Sequence, residues 1–241
     1  MKALILAGGF GTRLAELTDE IPKPMVPIGN FPILIHIMSH FSSFGVKEFL
    51  ILGGYKVEKL QEYFECQGKA VASRNNWIVN ILDTGPATTT AGRLLKAQTS
   101  VGNDFLLTYG DGLADVDIKK LIQVHVSSKK TATVTAVRPP ARFGTLEFHD
   151  GLVTSFSEKD PQKVGWINGG FFCLSTSIFQ YLGDAHMSFE SQPMDLLVKN
   201  RELGVLAHEG FWRPMDTLRD RRDLEEIWHS GKVPWSTEAL R

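Results

Sequence analysis

Cysteine is scarce in this chain of 241 residues, with Cys66 and Cys173 its only two. Two thiols so far apart exclude a disulfide framework and a zinc knuckle. Long hydrophobic runs are also missing, and the opening apolar stretch at residues 4–7 is too short for a signal peptide or a membrane span. Neither sign of charge dominates: 26 Lys and Arg stand against 27 Asp and Glu, a net charge of −1. Without a broad basic field, neither nucleic acid nor an anionic membrane is an expected partner. The seven histidines show no metal-ligand spacing and no catalytic partner, and no internal repeat, low-complexity tract or linker-like segment interrupts the chain. What remains is the composition of a cytoplasmic α/β protein, 43% hydrophobic. Such a chain can bury a substantial core, and it reads as a single domain over residues 1–241 with a small C-terminal appendage.

Strand-like runs recur at Ala3–Leu6, Glu48–Leu52, Trp77–Leu82, Phe105–Thr108 and Thr131–Val137. Helical patterns fill the first four gaps, around Ile33–Ser43, Val57–Phe64, Ala91–Gln98 and Ile118–His125. Parallel neighbours need crossover connections, so this alternation predicts a Rossmann-like, mostly parallel sheet flanked by helices. Ligands of such sheets bind beyond the carboxyl ends of the strands. Farther on, apolar and polar residues alternate on both sides of Asp150-Gly151 in GTLEFHDGLVTSF, which predicts a hairpin. Pro193 fits the first turn of a helix. Thr217–His229 places Leu218, Leu224, Ile227 and Trp228 on one face, as a docking helix does.

The stretch LILAGGFGTRLAELTDEIPKPM, residues 4–25, holds the strongest local signal. Gly9-x-Gly11 sits where a dinucleotide fingerprint would begin, but Leu14 stands in place of its third glycine, and no Gly-Lys-Ser/Thr follows to make a P-loop. What remains is a strand, a turn too tight for side chains at Gly8, Gly9 and Gly11, and Thr12-Arg13 entering the next segment. Backbone N–H groups freed by glycine can cradle phosphate oxygens, and an arginine fork can neutralise them. A plain strand-to-helix turn with a surface arginine is the competing reading. Lys23 lies between Pro22 and Pro24, which fix their own φ and forbid regular helix, so it is presented from a stiff stretch. A stiff lysine beside a phosphate cradle points to charge neutralisation in phosphoryl or nucleotidyl transfer, although an exposed turn lysine is common.

Asp111, in LLTYGDG, follows an apolar strand and would put a carboxylate at the sheet's carboxyl edge. That position suits Mg²⁺, which takes one or two protein carboxylates plus phosphate oxygens and water, while an Asp-Gly turn is the plainer alternative. Asp115-Val-Asp117 imitates a glycosyltransferase metal motif, yet Asp117 reads as the N-cap of the helix that starts at Ile118. Asp216, before the last helix, has an N-cap as its ordinary role. SEKDP around Glu158 and Lys159 is, taken alone, a solvated turn, and Asn168-Gly169-Gly170 opens another strand. Phe211 and Trp212 read as packing residues.

LAGGFGTRL followed by PKPM resembles the signature of sugar-1-phosphate nucleotidyltransferases, which join a nucleoside triphosphate to a sugar phosphate and release pyrophosphate. LDTGPATTTAGRL, TYGDGLADVDI, RFGTLEF, INGGFF and GFWRPMDTLRDRRDLE are similar to the glucose-1-phosphate cytidylyltransferase branch of that superfamily. The similarity runs from Met1 to about Trp235, and the chain is shorter than that branch between Gln61 and Ile81. The resemblance implies that CTP and α-D-glucose 1-phosphate are the substrates, Mg²⁺ the cofactor and a homo-oligomer the assembly. It implies a catalytic trio of Arg13, Lys23 and Asp111, with Asp111 and Asp216 holding the metal. Substrate contacts are implied at Leu6, Ala7, Gly8, Gly9, Gly11, Thr12, Arg13, Lys23 and Gly110. The nucleotide segment is implied at Thr84, Gly85, Thr88, Gly92 and Arg93, with Arg93 on the triphosphate. Lys159 would hold the sugar phosphate, Glu158 and Asn168 the sugar hydroxyls, beside Gly169. Two other classes compete. A non-catalytic sugar-nucleotide-binding protein fits poorly with retention of Arg13, Lys23, Asp111 and Asp216 together, and Leu14 opposes an NAD-dependent oxidoreductase.

Overall fold

The computed structural model describes residues 1–140, 144–158, 165–235 and 238–240. The first strand, β1 (Lys2–Ala7), leads through the glycine turn to the short helix α1 (Ala15–Thr18). A small ribbon of β2 (Pro27–Ile28) and β3 (Phe31–Pro32) precedes α2 (Ile33–Ser43). Next come β4 (Glu48–Gly53), α3 (Val57–Glu65), α4 (Gln67–Arg74), β5 (Ile78–Asp83) and α5 (Thr90–Lys96). They are followed by β6 (Asp104–Tyr109), β7 (Gly112–Ala114), α6 (Ile118–Ser128) and β8 (Ala132–Val137). The rest of the chain forms the hairpin β9 (Thr145–His149) and β10 (Leu152–Ser157), then β11 (Ile167–Ser175), α7 (Gln192–Lys199), β12 (Leu203–His208), β13 (Trp212–Pro214) and α8 (Leu218–His229).

Seven strands form the central sheet in the order β12-β8-β11-β6-β1-β4-β5. All neighbours run parallel except β11, which is antiparallel to both β6 and β8. The chain builds outward from β1 to β4 and β5, then crosses back to place β6 on the other side of β1. That reversal opens a crevice at the carboxyl ends of β1 and β6, the place where open α/β sheets take their ligands.

The strands are apolar at successive positions because both faces are covered. Along β1, Ala3, Ile5 and Ala7 enter one core, while Leu4 and Leu6 enter the other. Phe49 and Ile51 of β4 separate from Leu50 and Leu52 in the same way. Local chemistry sets the helix ends. The Thr89 hydroxyl accepts from Gly92 N at the start of α5, the Asp117 carboxylate accepts from Lys120 N at 2.9 Å before α6, and Thr217 and Asp220 form a capping box on α8.

The expected α8 docks as the pattern implied: Leu224 is buried, and the Trp228 ring meets His36 of α2 edge-on at 4.9 Å. The segment beyond it belongs to the same core, with Trp235 1% exposed and its indole N–H donating to His36 Nδ1 at 3.1 Å. At the β9–β10 turn, Asp150 and Gly151 both have positive φ, 49° and 76°, the signature of a type I′ hairpin. Its alternation does not bury a face, however, because Leu146, Phe148, Leu152, Val153 and Phe156 are all exposed. No helix among the described residues is long and apolar enough to cross a membrane.

Candidate active site

β1 ends against a loop whose shape two glycines explain. Gly11 has φ +65°, and a Cβ there would come within 2.9 Å of Thr18 Cγ2 and 3.2 Å of Lys23 Cβ. A Cβ on Gly8 would fall inside the Arg93 guanidinium. Gly9 departs from the expectation of a turn too tight for side chains: a Cβ there meets nothing within 4 Å. Its exposed position faces open space, so no steric demand for glycine exists there. The loop closes through Leu14 N donating to Gly11 O at 2.8 Å and Thr18 Oγ1 donating to the same carbonyl at 3.1 Å.

Lys23 begins a single 3-10 turn, Lys23–Met25, entered from extended backbone at Pro22. Its side chain is only 12% exposed, and Nζ lies 2.6 Å from Asp111 Oδ2 and 2.7 Å from Asp216 Oδ1. Burial alone would lower the ammonium's pKa, but the combined attraction of the two carboxylates outweighs it and holds the pKa above the ordinary lysine value. Lys23 is therefore a cation throughout the neutral range. Arg13 approaches the same pair from the exposed side, with Nη1 2.9 Å from Asp216 Oδ2.

The two aspartates meet because of a ribbon. β7 pairs antiparallel with β13, Gly112 opposite Pro214, and Met215 N donates to Asp111 O at 2.8 Å. Asp111 and Asp216 therefore flank one end of the ribbon although 105 positions separate them in sequence. Asp216 is not the N-cap of α8, as its position before the helix implied. Thr217 caps the helix, which leaves the Asp216 carboxylate to Lys23 and Arg13.

These groups line a cavity of about 360 Å³ together with Leu6, Ala7, Gly8, Gly9, Gly11, Thr12, Pro24, Thr88, Thr89, Thr90, Arg93, Tyr109 and Gly110. Arg93 is 3% exposed and acts as a brace. Its guanidinium donates to Gly8 O at 2.8 Å, Gly53 O at 2.9 Å and Gly85 O at 3.0 Å, and also to the Thr84 hydroxyl, so it joins the loops after β1, β4 and β5. Thr84 is fully buried behind the cavity, with its hydroxyl donating to Gly53 O. Gly92 faces elsewhere: a Cβ there would strike the carbonyl of Ala185, so its smallness serves packing of α5 against residues 184–188. Gly85 has φ +84° and sits at the turn after β5.

The residues expected to hold the sugar are spread out. Lys159 lies outside the described residues. Glu158 is exposed at the end of β10, away from the cavity lining. Gly169 is buried, with its carbonyl accepting from the Trp212 indole at 2.8 Å. Asn168 reaches the cavity through Tyr109, donating from Nδ2 to the phenol oxygen at 3.2 Å. Sequence reasoning passed over Tyr109, Pro24, Thr89 and Thr90. Tyr109 stands two residues before Asp111 at the carboxyl end of β6, and that placement was the available signal.

Asp115 pairs with His208 at 2.9 Å while Asp117 caps α6, which removes the glycosyltransferase-like reading of that pair. No group of three or more His, Cys, Asp or Glu side chains able to hold a metal ion occurs among the described residues. Two carboxylates do converge at the cavity, and that donor set fits Mg²⁺ completed by phosphate oxygens and water.

A glycine cradle, a buried cation and paired carboxylates at the switch point of a doubly wound sheet define a protein that handles phosphates of a nucleotide. The chain belongs to the nucleotidyl transferase family, whose model matches residues 2–212. It is 45% identical to the glucose-1-phosphate cytidylyltransferase of Salmonella typhimurium over 258 aligned residues, covering 98% of this chain and 99% of that protein. Among solved structures, HddC from Yersinia pseudotuberculosis is 27% identical with a TM-score of 0.73, covering 94% of this chain and 99% of that one. A UDP-glucose pyrophosphorylase complexed with UDP-glucose superposes with a TM-score of 0.73 at 16% identity, over 96% of this chain and 99% of that one. The last likeness is one of fold.

Proposed function

We propose that this protein transfers a cytidylyl group from CTP to α-D-glucose 1-phosphate, giving CDP-glucose and pyrophosphate. The observation that carries the reading is the Lys23 ammonium held between Asp111 and Asp216 beside the glycine cradle. The 45% identity to a glucose-1-phosphate cytidylyltransferase supports the choice of nucleotide and sugar.

The chemistry asks little covalent help of the protein. An oxygen of the sugar phosphate attacks the α-phosphorus of CTP in line, and pyrophosphate leaves. A phosphate monoester is already ionised at neutral pH, so no general base is required. The glycine loop offers backbone N–H groups to phosphate oxygens, and Lys23 and Arg13 set positive charge where negative charge grows on the α-phosphate and the leaving group. Arg93 keeps the cradle in shape through its carbonyl contacts. Mg²⁺ at Asp111 and Asp216 would supply further neutralisation of phosphate charge. In this reading the turn from Thr84 to Thr88 meets the base edge, Lys159 holds the sugar phosphate, and Glu158 and Asn168 hold the sugar hydroxyls.

Cytosine donates from its exocyclic amine where uracil and thymine accept, so a site built for it leaves buried polar groups unpaired with the wrong base. Discrimination by such unpaired groups reaches about 10⁴-fold in favourable cases. The deciding experiment supplies equal CTP, UTP and TTP with a panel of sugar 1-phosphates and follows pyrophosphate release and product identity. CDP-glucose as the main product is expected. Dominance of a UDP- or dTDP-sugar refutes the cytidylyl assignment, and no release with any pair refutes catalysis. The reading includes action in the cytoplasm, where CTP is found, as one domain in a homo-oligomer. The exposed apolar side chains of the β9–β10 hairpin support a subunit contact, and sedimentation as a monomer at working concentration overturns that part.

A further inference from the structure

Tyr109 connects the cavity to a carboxylate that the reaction does not use. Its hydroxyl lies 2.6 Å from Glu190 Oε1 and accepts from Asn168 Nδ2 at 3.2 Å. Glu190 is exposed, yet both of its oxygens are held. Thr90 Oγ1 donates to Oε2 at 2.7 Å, Ser188 Oγ donates to the same oxygen, and Phe189, fully buried, ties the segment down through its N–H to Thr90 Oγ1 at 2.8 Å. Among the described residues no ion pair explains Glu190.

The polarity of this chain of hydrogen bonds is forced. An ionised carboxylate only accepts, so the single phenol proton of Tyr109 must point to Glu190. The phenol oxygen can then only accept from Asn168, which orients the amide with Nδ2 toward Tyr109. The other end agrees, since Gly170 N donates to Asn168 Oδ1 at 2.9 Å. Among the described residues, one Nδ2 hydrogen and one Oδ1 lone pair of Asn168 are left for a ligand.

We infer that Glu190 is a positioning residue for the sugar phosphate: by holding the Tyr109 hydroxyl it fixes how the Asn168 amide meets a sugar hydroxyl. The inference rests on the reading above that Asn168 contacts the sugar. Glu190 acts through Tyr109 and touches neither substrate.

The test is steady-state kinetics of the full-length enzyme with CTP and glucose 1-phosphate. Without its anchor the phenol can turn its proton toward Asn168 and disorder one hydrogen bond to the sugar, a loss of about tenfold in affinity. Glu190→Ala should therefore raise KM for glucose 1-phosphate about tenfold, with kcat and KM for CTP within about twofold, and Glu190→Gln should fall between, because an amide oxygen still accepts. In a Tyr109→Phe background Glu190→Ala should add nothing, since its effect travels through that hydroxyl. Equal losses in kcat and in both KM values overturn the inference, as do effects of Glu190→Ala and Tyr109→Phe that simply multiply. Asn168→Ala separates the two levels. If it raises the sugar-phosphate KM while Glu190→Ala and Glu190→Gln do not, the inference falls and the sugar-site reading stands. If it leaves that KM unchanged, the reading of Asn168 falls and the inference with it.

Discussion

Replacing Lys23 by methionine is the sharpest test of the site, because methionine keeps most of the side chain's length and removes only the charge. The ammonium is 12% exposed and contacts two carboxylates at 2.6 and 2.7 Å. Water screens it poorly, so its field on a neighbouring phosphate is strong. If that field follows the transferring group, its loss falls on the transition state. Removing one such electrostatic element costs about 3 to 4 kcal/mol, or 10² to 10³ in kcat. The structural cost should be smaller, about 1 to 2 kcal/mol, because Asp111 and Asp216 remain 32% and 26% exposed and can be hydrated once unpaired. The assay is pyrophosphate release with CTP varied at saturating glucose 1-phosphate, alongside urea unfolding of both proteins. The expected result is a kcat lowered at least 100-fold, KM for CTP within about fivefold, and a folded variant. A variant with normal kcat and only a raised KM for CTP would make Lys23 a binding residue and refute the reasoning.

Asp111→Asn and Asp216→Asn should each cost about 2 to 4 kcal/mol of transition-state stabilisation, and turnover should stop in excess EDTA and return with Mg²⁺; near-normal rates in EDTA would refute the metal's part. Gly11→Ala should destabilise by about 1 to 2 kcal/mol, given its φ of +65° and the 2.9 Å approach to Thr18, whereas Gly9→Ala should change stability by less than about 0.5 kcal/mol; urea midpoints compare the two. Burial pushes His36 down from 6.5 to about 4, so between those values the unfolded chain binds a proton that the folded chain excludes. Stability from this residue is complete above pH 6.5 and falls by about 3 kcal/mol as the pH drops to 4. Urea midpoints from pH 7.5 to 4.5 should show that extra slope in the native protein and not in His36→Asn, and equal slopes would refute it.

Periodic apolar patterns in the sequence by themselves determined the alternation of strands and helices. α2 occupies Ile33–Ser43 as its pattern predicts, and β1, β4, β5, β6 and β8 lie within a residue or two of their apolar runs. Such patterns are legible because each position's burial repeats with the geometry of its own element. The caps at Asp117 and the turn at Asp150-Gly151 were legible for the same reason, being chemistry between residues a few positions apart. β12 passed unread, for it lies at the sheet edge with only Leu206 of its six residues buried, too little to mark a strand by alternation. β13 holds Pro214, a residue that argues against a strand unless the pairing partner is known.

The chemical residues divide along the same line. Gly11, Arg13, Lys23 and Asp111 were visible because each stands at the end of a strand or between prolines, where sequence alone implies a presented group. Only the tertiary structure decided that Lys23 bridges Asp111 and Asp216, that Arg93 braces three loops with the help of the Thr84 hydroxyl, and that Gly92 lets α5 approach Ala185 closely. It alone joined Asn168 to Glu190 through Tyr109. These relations depend on strand order and on the β7–β13 ribbon, which bring groups from distant parts of the chain within hydrogen-bonding distance of one another. A distance of that kind follows from long-range pairing and has no local period for a sequence to display.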